Sequence, residues 1–407
     1  MTLRLQANDL KSGVTLNLPG SKSIANRLLI LQQHHPELVL AALPLADDVL
    51  VLQQALDTNS QHIDVGHAGT AMRFLTAFLA VTTTQKRIIT GSERMQNRPI
   101  GPLVDALNNL GAKINYLGKH GFPPLQILPP AALHNSVQID ASVSSQFISA
   151  ILLNAAVVPK PFQIKLANTA VSKSYLDLTL DLLRNLGYAI EQTTAEINVL
   201  QTPMATKRTY VVEADWSAAS YFYSIVALAE IGFELNLAQL QHNSKQGDAH
   251  TVQYYHHFGV ETTQTATGIL IRKVRKADAA IDFNLENQPD IAQTIAVTAA
   301  ALGCCCKLTG LKTLAIKETN RLAALQTELQ KCGVAVALTS DSLTFPASQF
   351  VRPTAPIETY QDHRMAMAFA PIATRSELQI SNPEVVSKSF PNFWDELEKI
   401  GFSTTVV

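Results

Sequence analysis

A mixed α/β protein built as two globular halves is predicted by three features of the 407-residue chain. A helix stop at glycine recurs at long, even intervals, a series of helix starts recurs at the same interval, and β-prone runs fill the spaces between them. The stops read "DALNNLGAKI", "DLLRNLGYAI", "QYYHHFGVET", "TELQKCGVAV" and "DELEKIGFST", with glycines at 111, 187, 259, 333 and 401, separated by 76, 72, 74 and 68 residues. Glycine just past a helix accepts the positive φ that closes the last turn, so each marks the end of a helix before a strand.

The starts follow in order along the chain. "GSKSIANR" begins at Gly20, "AGTAMRFL" at Ala68, "SSQFISAI" at Ser144, "WSAASYFY" at Trp216, "PDIAQTIA" at Pro289 and "QDHRMAMA" at Gln361. The last five are 76, 72, 73 and 72 residues apart, whereas Gly20 precedes Ala68 by only 48. No glycine stop follows "VLQQALDTNSQHIDVG" (51–66) either, so the first copy is shortened by roughly two dozen residues. Each unit reads as strand, helix, strand, second helix, then one or two strands. The period exceeds that of stacked solenoid repeats, which favours two halves of three units each.

Composition narrows the function. Hydrophobic residues make up 47% of the chain, enough for real cores, and the net charge of −1 argues against a broadly basic nucleic-acid surface. Any anion site must therefore be local. The opening "MTLRLQANDLKSG" lacks an apolar signal core, and no run of 18 apolar residues occurs, so the expectation is a cytoplasmic protein without membrane contact. Cys304, Cys305, Cys306 and Cys332 fit neither a disulfide framework nor a zinc site and are expected to be reduced core thiols. The histidines at 34–35, 256–257 and 363 lack companions at metal-ligand spacing, so no metal is expected.

Cations collect where helices begin. Lys22, Arg27, Arg73, Arg98, Lys317, Arg321 and Arg364 all fall on or near the starts, although the positive end of a helix dipole disfavours them by about 0.3–1 kcal/mol each. A single such residue is ordinarily a solvated surface charge; its recurrence points to anions bound at helix N-termini, with Thr70, Ser144 and Ser145 adding hydroxyl groups. "PGSKS" is not a nucleotide P-loop, because the glycine before Gly20 is Gly13. Asp290 could be a helix cap and Glu318 an i,i+3 partner of Arg321; in a cation-rich cleft either could move a proton.

"LPGSKSIANRLLIL", "GHAGTAMRFLTA", "RMQNRPIGPLVDAL", "SSQFISAILLNA", "VSKSYLDLTLDLL", "DWSAASYF", "PDIAQTIAV", "IKETNRLAAL", "DHRMAMAFA" and "SKSFPNFWDEL" resemble, in order, the motifs of the 3-phosphoshikimate 1-carboxyvinyltransferases, members of the enolpyruvyl transferase family. The resemblance runs from about residue 18 to 395. It implies a two-domain, inside-out α/β barrel fold of six βαβαββ units. One domain would span 20–213 and carry much of the shikimate 3-phosphate site; the other would combine 1–19 with 214–407 and carry Asp290, Glu318, Arg364 and Lys388. The domains would close on substrate.

The implied reaction transfers the enolpyruvyl group of phosphoenolpyruvate to the 5-hydroxyl of shikimate 3-phosphate by addition and elimination, without metal or organic cofactor. The implied catalytic residues are Asp290, Glu318, Lys22 and Lys388. Lys22, Ser23, Arg27, Ser144, Ser145, Gln146, Ser172, Tyr175, Asp290 and Lys317 would hold shikimate 3-phosphate. Lys22, Gly69, Arg98, Gln146, Arg321, Arg364 and Lys388 would hold phosphoenolpyruvate. The two small molecules would be its partners, and the protein a monomer. Departures from the family pattern are His67 for Asn, Phe74 for Pro, Ser174 for Pro, Asn320 for Asp and Thr313 for a common Asn. The alternatives are the related transfer to a UDP-linked amino sugar, set aside because "GSERMQNRPI" lacks that enzyme's loop cysteine, and a silent binder of phosphorylated ligands on the same scaffold.

Overall fold

The structure is a computed structural model describing residues 1–142, 144–168 and 171–407. Its contacts divide the chain into two compact units, Met1–Ser21 with Glu213–Val407 and Lys22–Val212. Each unit has its own apolar core: one gathers Leu5, Trp216, Phe222, Ile295 and Phe393, the other Leu28, Phe74, Ile148 and Leu183.

The repeat is visible in the sheets. Four of them share one order, in which a parallel pair is extended by an antiparallel hairpin. They are His62–Asp64, Arg87–Thr90, Leu125–Leu128, Lys113–Tyr116; Ser136–Asp140, Phe162–Ala167, Glu196–Gln201, Ala189–Gln192; Val14–Leu16, Glu234–Ala238, Gly268–Lys273, Val260–Gln264; and Ala280–Asn284, Cys305–Thr309, Leu343–Phe345, Ala337–Leu338. A fifth places the N-terminal strand Thr2–Ala7 between Leu378–Ser381 and Phe402–Val406, antiparallel to both. The sixth is the parallel pair Leu38–Ala41 and Arg208–Val211, without a hairpin, which is the shortened first unit. The glycines at 111, 187, 259, 333 and 401 all have positive φ, between 77° and 109°.

Helices lie inside and sheets outside within each unit. Ala292–Ala301 is buried along its whole length, as is His363–Phe369, and in Trp216–Leu228 every residue except Ser217 is buried. A helix apolar all round belongs in the interior. The Ala- and Thr-rich composition of Ala292–Ala301 lets neighbouring backbones approach closely, and its few hydroxyls are satisfied across the contact: Ser224 and Thr298 meet at 2.7 Å, and Tyr255 Oη and Thr298 at 3.0 Å. In the other unit, Gly69–Thr82 packs against both Lys22–His34 and Ser145–Leu152. The strands expose alternate residues. That period corrects one expectation: Cys304, Cys306 and Cys332 are buried, but Cys305 is exposed, because adjacent residues of a strand face opposite sides.

Candidate active site

In the unit Met1–Ser21 with Glu213–Val407, the inner helices bring acids to their starts. Asp215 caps Trp216–Leu228 by accepting from Ser217 N at 2.8 Å, and Asp362 caps His363–Phe369 by accepting from Arg364 N at 2.9 Å. Asp290 stands in the 3-10 turn Pro289–Ile291 that leads into Ala292–Ala301. A carboxylate at a helix start is favoured by the dipole and, once there, holds a cation the dipole would repel.

That is how the cations are held. Arg321, only 1% exposed, donates through Nε to Asp362 Oδ2 at 2.7 Å, through Nη1 to Asp290 Oδ1 at 3.0 Å and through Nη2 to Glu318 Oε2 at 2.9 Å. Arg364 spans Asp290 with both nitrogens, Nη1 on its carbonyl at 3.0 Å and Nη2 on Oδ2 at 3.1 Å. Lys317 lies 3.4 Å from Asp290, and Lys388 lies 3.2 Å from Glu318. Asp290, Lys317, Glu318, Arg321, Asp362, Arg364 and Lys388 thus form one continuous ion network. Burial alone would push the Asp290 carboxyl up, but Arg364, Lys317 and Arg321 outweigh burial and the opposing Glu318, and hold it well below the usual carboxylate range.

The unit Lys22–Val212 has a different character. Lys22, the first residue of its helix, donates to Asp48 Oδ2 at 2.9 Å. Arg27 is buried and serves protein acceptors: Thr179 Oγ1 at 2.7 Å, the Ser23 carbonyl at 2.8 Å, the Tyr175 carbonyl at 3.1 Å and Ser149 Oγ at 3.5 Å. Its guanidinium carbon lies 5.5 Å from the centre of the Phe74 ring, within reach of a cation–π attraction. Burial lowers its pKa to about 10, against a smaller opposing effect of Tyr175. Ser144 caps Ser145–Leu152, accepting from Gln146 N, and the Gln146 amide reaches Thr70 Oγ1 at 3.3 Å, so the starts of Ser145–Leu152 and Gly69–Thr82 lie side by side. Ser172 precedes Lys173–Leu186 with a left-handed φ of 51°, a strained conformation for serine. Arg98 is buried with its guanidinium against Gly69, so close that a Cβ there would overlap it.

Within each unit, then, the expected residues come together: Asp290, Lys317, Glu318, Arg321, Arg364 and Lys388 in one, and Ser23, Arg27 and Tyr175, Ser144 and Gln146, and Gly69 and Arg98 as three groups in the other. Asp48, Thr179 and Asp362 were not expected from the sequence. Asp362 carried a signal, since it precedes "HRMAMAFA" at a helix start; the others are recognised only by what they touch. The departures are accommodated locally. Asn320 caps Arg321–Lys331 by accepting from Ala323 N at 3.3 Å, a role Asp would fill equally. His67 Nδ1 lies 3.0 Å from Ser92 Oγ, Phe74 is fully buried, Ser174 is half-buried in the first turn of its helix, and the Thr313 hydroxyl is buried without a hydrogen-bond partner among the described residues.

Comparison with known proteins is consistent across three kinds of similarity. The family model of EPSP synthase (3-phosphoshikimate 1-carboxyvinyltransferase) matches residues 46–397. A 3-phosphoshikimate 1-carboxyvinyltransferase of Bacteroides fragilis is 42% identical over 397 residues, covering 96% of each chain. One from Escherichia coli O1:K1 is 34% identical over 416 residues, covering 95% of this chain and 96% of its own. In fold, the chain is similar to the solved EPSP synthase of Acinetobacter baumannii, with a TM-score of 0.76 at 19% identity over 100% of both chains.

Proposed function

The chain belongs to the EPSP synthase (3-phosphoshikimate 1-carboxyvinyltransferase) family, and from that premise we propose which of its residues perform the reaction. The enzyme transfers the enolpyruvyl group of phosphoenolpyruvate to the 5-hydroxyl of shikimate 3-phosphate and releases phosphate, a step of the shikimate pathway toward chorismate and the aromatic amino acids.

Shikimate 3-phosphate is assigned to Lys22, Ser23, Arg27, Ser144, Ser145, Gln146, Ser172, Tyr175, Asp290 and Lys317. Phosphoenolpyruvate is assigned to Lys22, Gly69, Arg98, Gln146, Arg321, Arg364 and Lys388. Glu318, with Lys388 beside it, delivers a proton to the methylene carbon of phosphoenolpyruvate while the 5-hydroxyl oxygen bonds to the neighbouring carbon. Asp290 takes the hydroxyl proton. The resulting tetrahedral intermediate then expels phosphate, which takes up the proton held on Asp290, and loses a methyl proton to Glu318, which restores the double bond and returns both carboxyl groups to their starting states. Lys22 and Lys388 stabilise the charge that builds on phosphate.

The observation that carries this reading is the joining of Asp290 and Glu318 through Arg321, with Arg364 and Lys388 on the same two carboxylates. Cations hold Asp290 ionised and so ready to accept a proton. When phosphate and carboxylate groups of the substrates occupy those cations, the attraction on Asp290 weakens and its basicity rises, which couples proton acceptance to a filled site. Phosphate release should require both substrates; equal release from phosphoenolpyruvate alone would be hydrolysis and excludes the transfer, and binding of both without release favours a silent binder. We also place the enzyme in the cytoplasm as a monomer; among the described residues no helix is long and apolar enough to cross a membrane. Light scattering should return the mass of one chain, and twice that mass overturns the monomer.

A further inference from the structure

Asp248 is a buried acid that the reaction does not use. It lies in the 3-10 turn Gly247–His250, is 4% exposed, and accepts a hydrogen bond from Ser217 Oγ through Oδ2, while Oδ1 has no hydrogen-bond partner among the described residues. Two residues earlier, Gln246 grips the same helix start: its Oε1 accepts from Trp216 N at 3.2 Å and its Nε2 donates to the Ala214 carbonyl at 2.8 Å. The stretch 246–248 thus fixes residues 214–217 through both backbone and side chain.

Ser217 is the link to the site. It is the residue of Trp216–Leu228 that is not fully buried, and its Oγ lies 3.4 Å from Arg364 Nη2, the nitrogen that also donates to Asp290 Oδ2. A serine hydroxyl has one hydrogen and two lone pairs. With the hydrogen given to Asp248, a lone pair is left to accept from the Arg364 guanidinium. We propose that Asp248 is a positioning residue for phosphoenolpyruvate, acting through Ser217 to fix the Arg364 guanidinium against Asp290. This rests on the assignment of Arg364 to phosphoenolpyruvate.

The surroundings agree with that role. Asp248 is faced by Asp290, Arg364 and Asp215, and by Ser217; its charge in turn reaches Tyr254. Burial first, then Asp290, pushes its pKa up to about 7, against Arg364 and Ser217. An acid whose charge burial disfavours accepts the hydroxyl hydrogen while competing less with Asp290 for the cation than a permanently charged one would.

Steady-state kinetics on the full-length enzyme, varying each substrate in turn, test the proposal. Asp248→Ala and Ser217→Ala should each raise KM for phosphoenolpyruvate about 10-fold, the lower end for a lost hydrogen bond to a charged group. KM for shikimate 3-phosphate should stay within about twofold. The double variant should cost no more than the worse single one, because both break the same path. Asp248→Asn, which keeps an acceptor for Ser217, should recover most of the loss. A purely structural role would lower the melting temperature and the active fraction while leaving both KM values unchanged, and that result overturns the proposal. If Asp248→Ala does not fold, Ser217→Ala, which removes one oxygen, decides the matter alone. Arg364→Lys separates the two levels: if it raises KM for phosphoenolpyruvate while Ser217→Ala does not, only the relay fails, and if it changes nothing, the assignment of Arg364 fails and takes the relay with it.

Discussion

The inner helices of Met1–Ser21 with Glu213–Val407 begin at Asp215, Asp290 and Asp362, whereas those of Lys22–Val212 begin at Lys22, Gly69 and Ser145. Both units bury three helices inside three sheets, yet they finish the helix starts with opposite chemistry. Acidic starts draw in arginine and lysine and lock them into a network, so charge in the first unit is compensated before any ligand arrives. Such a network is expensive to desolvate and earns its place by orientation more than by stability. The starts at Gly69 and Ser145 leave N–H groups and small polar side chains, which suit a ligand that brings its own charge, while Lys22 is paired with Asp48. On the roles proposed above, the comparison separates the labour: proton movement on the acidic side, grip on shikimate 3-phosphate mostly on the hydroxyl side.

Glu318→Gln is the hardest test of that division. Gln keeps the size but cannot deliver a proton, so turnover should fall by about 10²–10⁴-fold, the range for losing a general acid–base group. Affinity for shikimate 3-phosphate, followed by calorimetry, should change little. Undiminished turnover removes Glu318 from the chemistry.

Arg27→Ala tests the other side. It removes a buried guanidinium that serves Thr179, Ser149 and two carbonyls and lies over Phe74. KM for shikimate 3-phosphate should rise at least about 10-fold, the value of one charge-assisted hydrogen bond, with KM for phosphoenolpyruvate nearly constant. A loss confined to phosphoenolpyruvate would contradict the assignment. Gly69→Ala is milder. The new methyl group must displace the Arg98 guanidinium, the far end of a flexible side chain, so the enzyme should fold normally. KM for phosphoenolpyruvate should rise by a few-fold, about 1 kcal/mol, and an unchanged value would show that Arg98 does not need its present place.

Much of this was legible in the chain because it is local. The glycine stops declare themselves through positive φ, and the helix starts through their apolar runs, so six units and a shortened first one could be counted before any contact was known. Pairings between distant strands were not legible. Val14–Leu16 precedes the first inner helix but pairs with Glu234–Ala238, and Arg208–Val211 precedes Trp216–Leu228 but pairs with Leu38–Ala41, an exchange that no local pattern encodes. Burial of charge was hidden for the same reason. Arg27 looks like a surface residue near a helix start until Thr179 and Ser149, more than 100 residues away, are brought to it. Cys305 is a miss that strand alternation could have prevented, since three consecutive cysteines cannot all face one side.

A stability measurement, rather than a kinetic one, sharpens the comparison by separating two acids of one unit. The pKa of Asp290 is depressed by its cations, so its contribution to stability is complete above the ordinary carboxylate range and is lost as pH falls below it. Asp248 has the opposite sign. Its pKa is raised to about 7 by burial and by Asp290, so the folded protein binds a proton more tightly than the unfolded chain, and stability from this group is complete below about pH 4 and declines as pH rises toward 7. Asp248→Asn removes that titration. The difference in unfolding free energy between variant and parent, measured with denaturant from pH 4 to 8, should therefore move in favour of the variant by up to about 1.4 kcal/mol per pH unit across the window and level off above it. A difference that is flat with pH would mean that Asp248 carries its charge throughout, and the acids of this unit would then be alike rather than divided between one kept charged by cations and one whose charge burial disfavours.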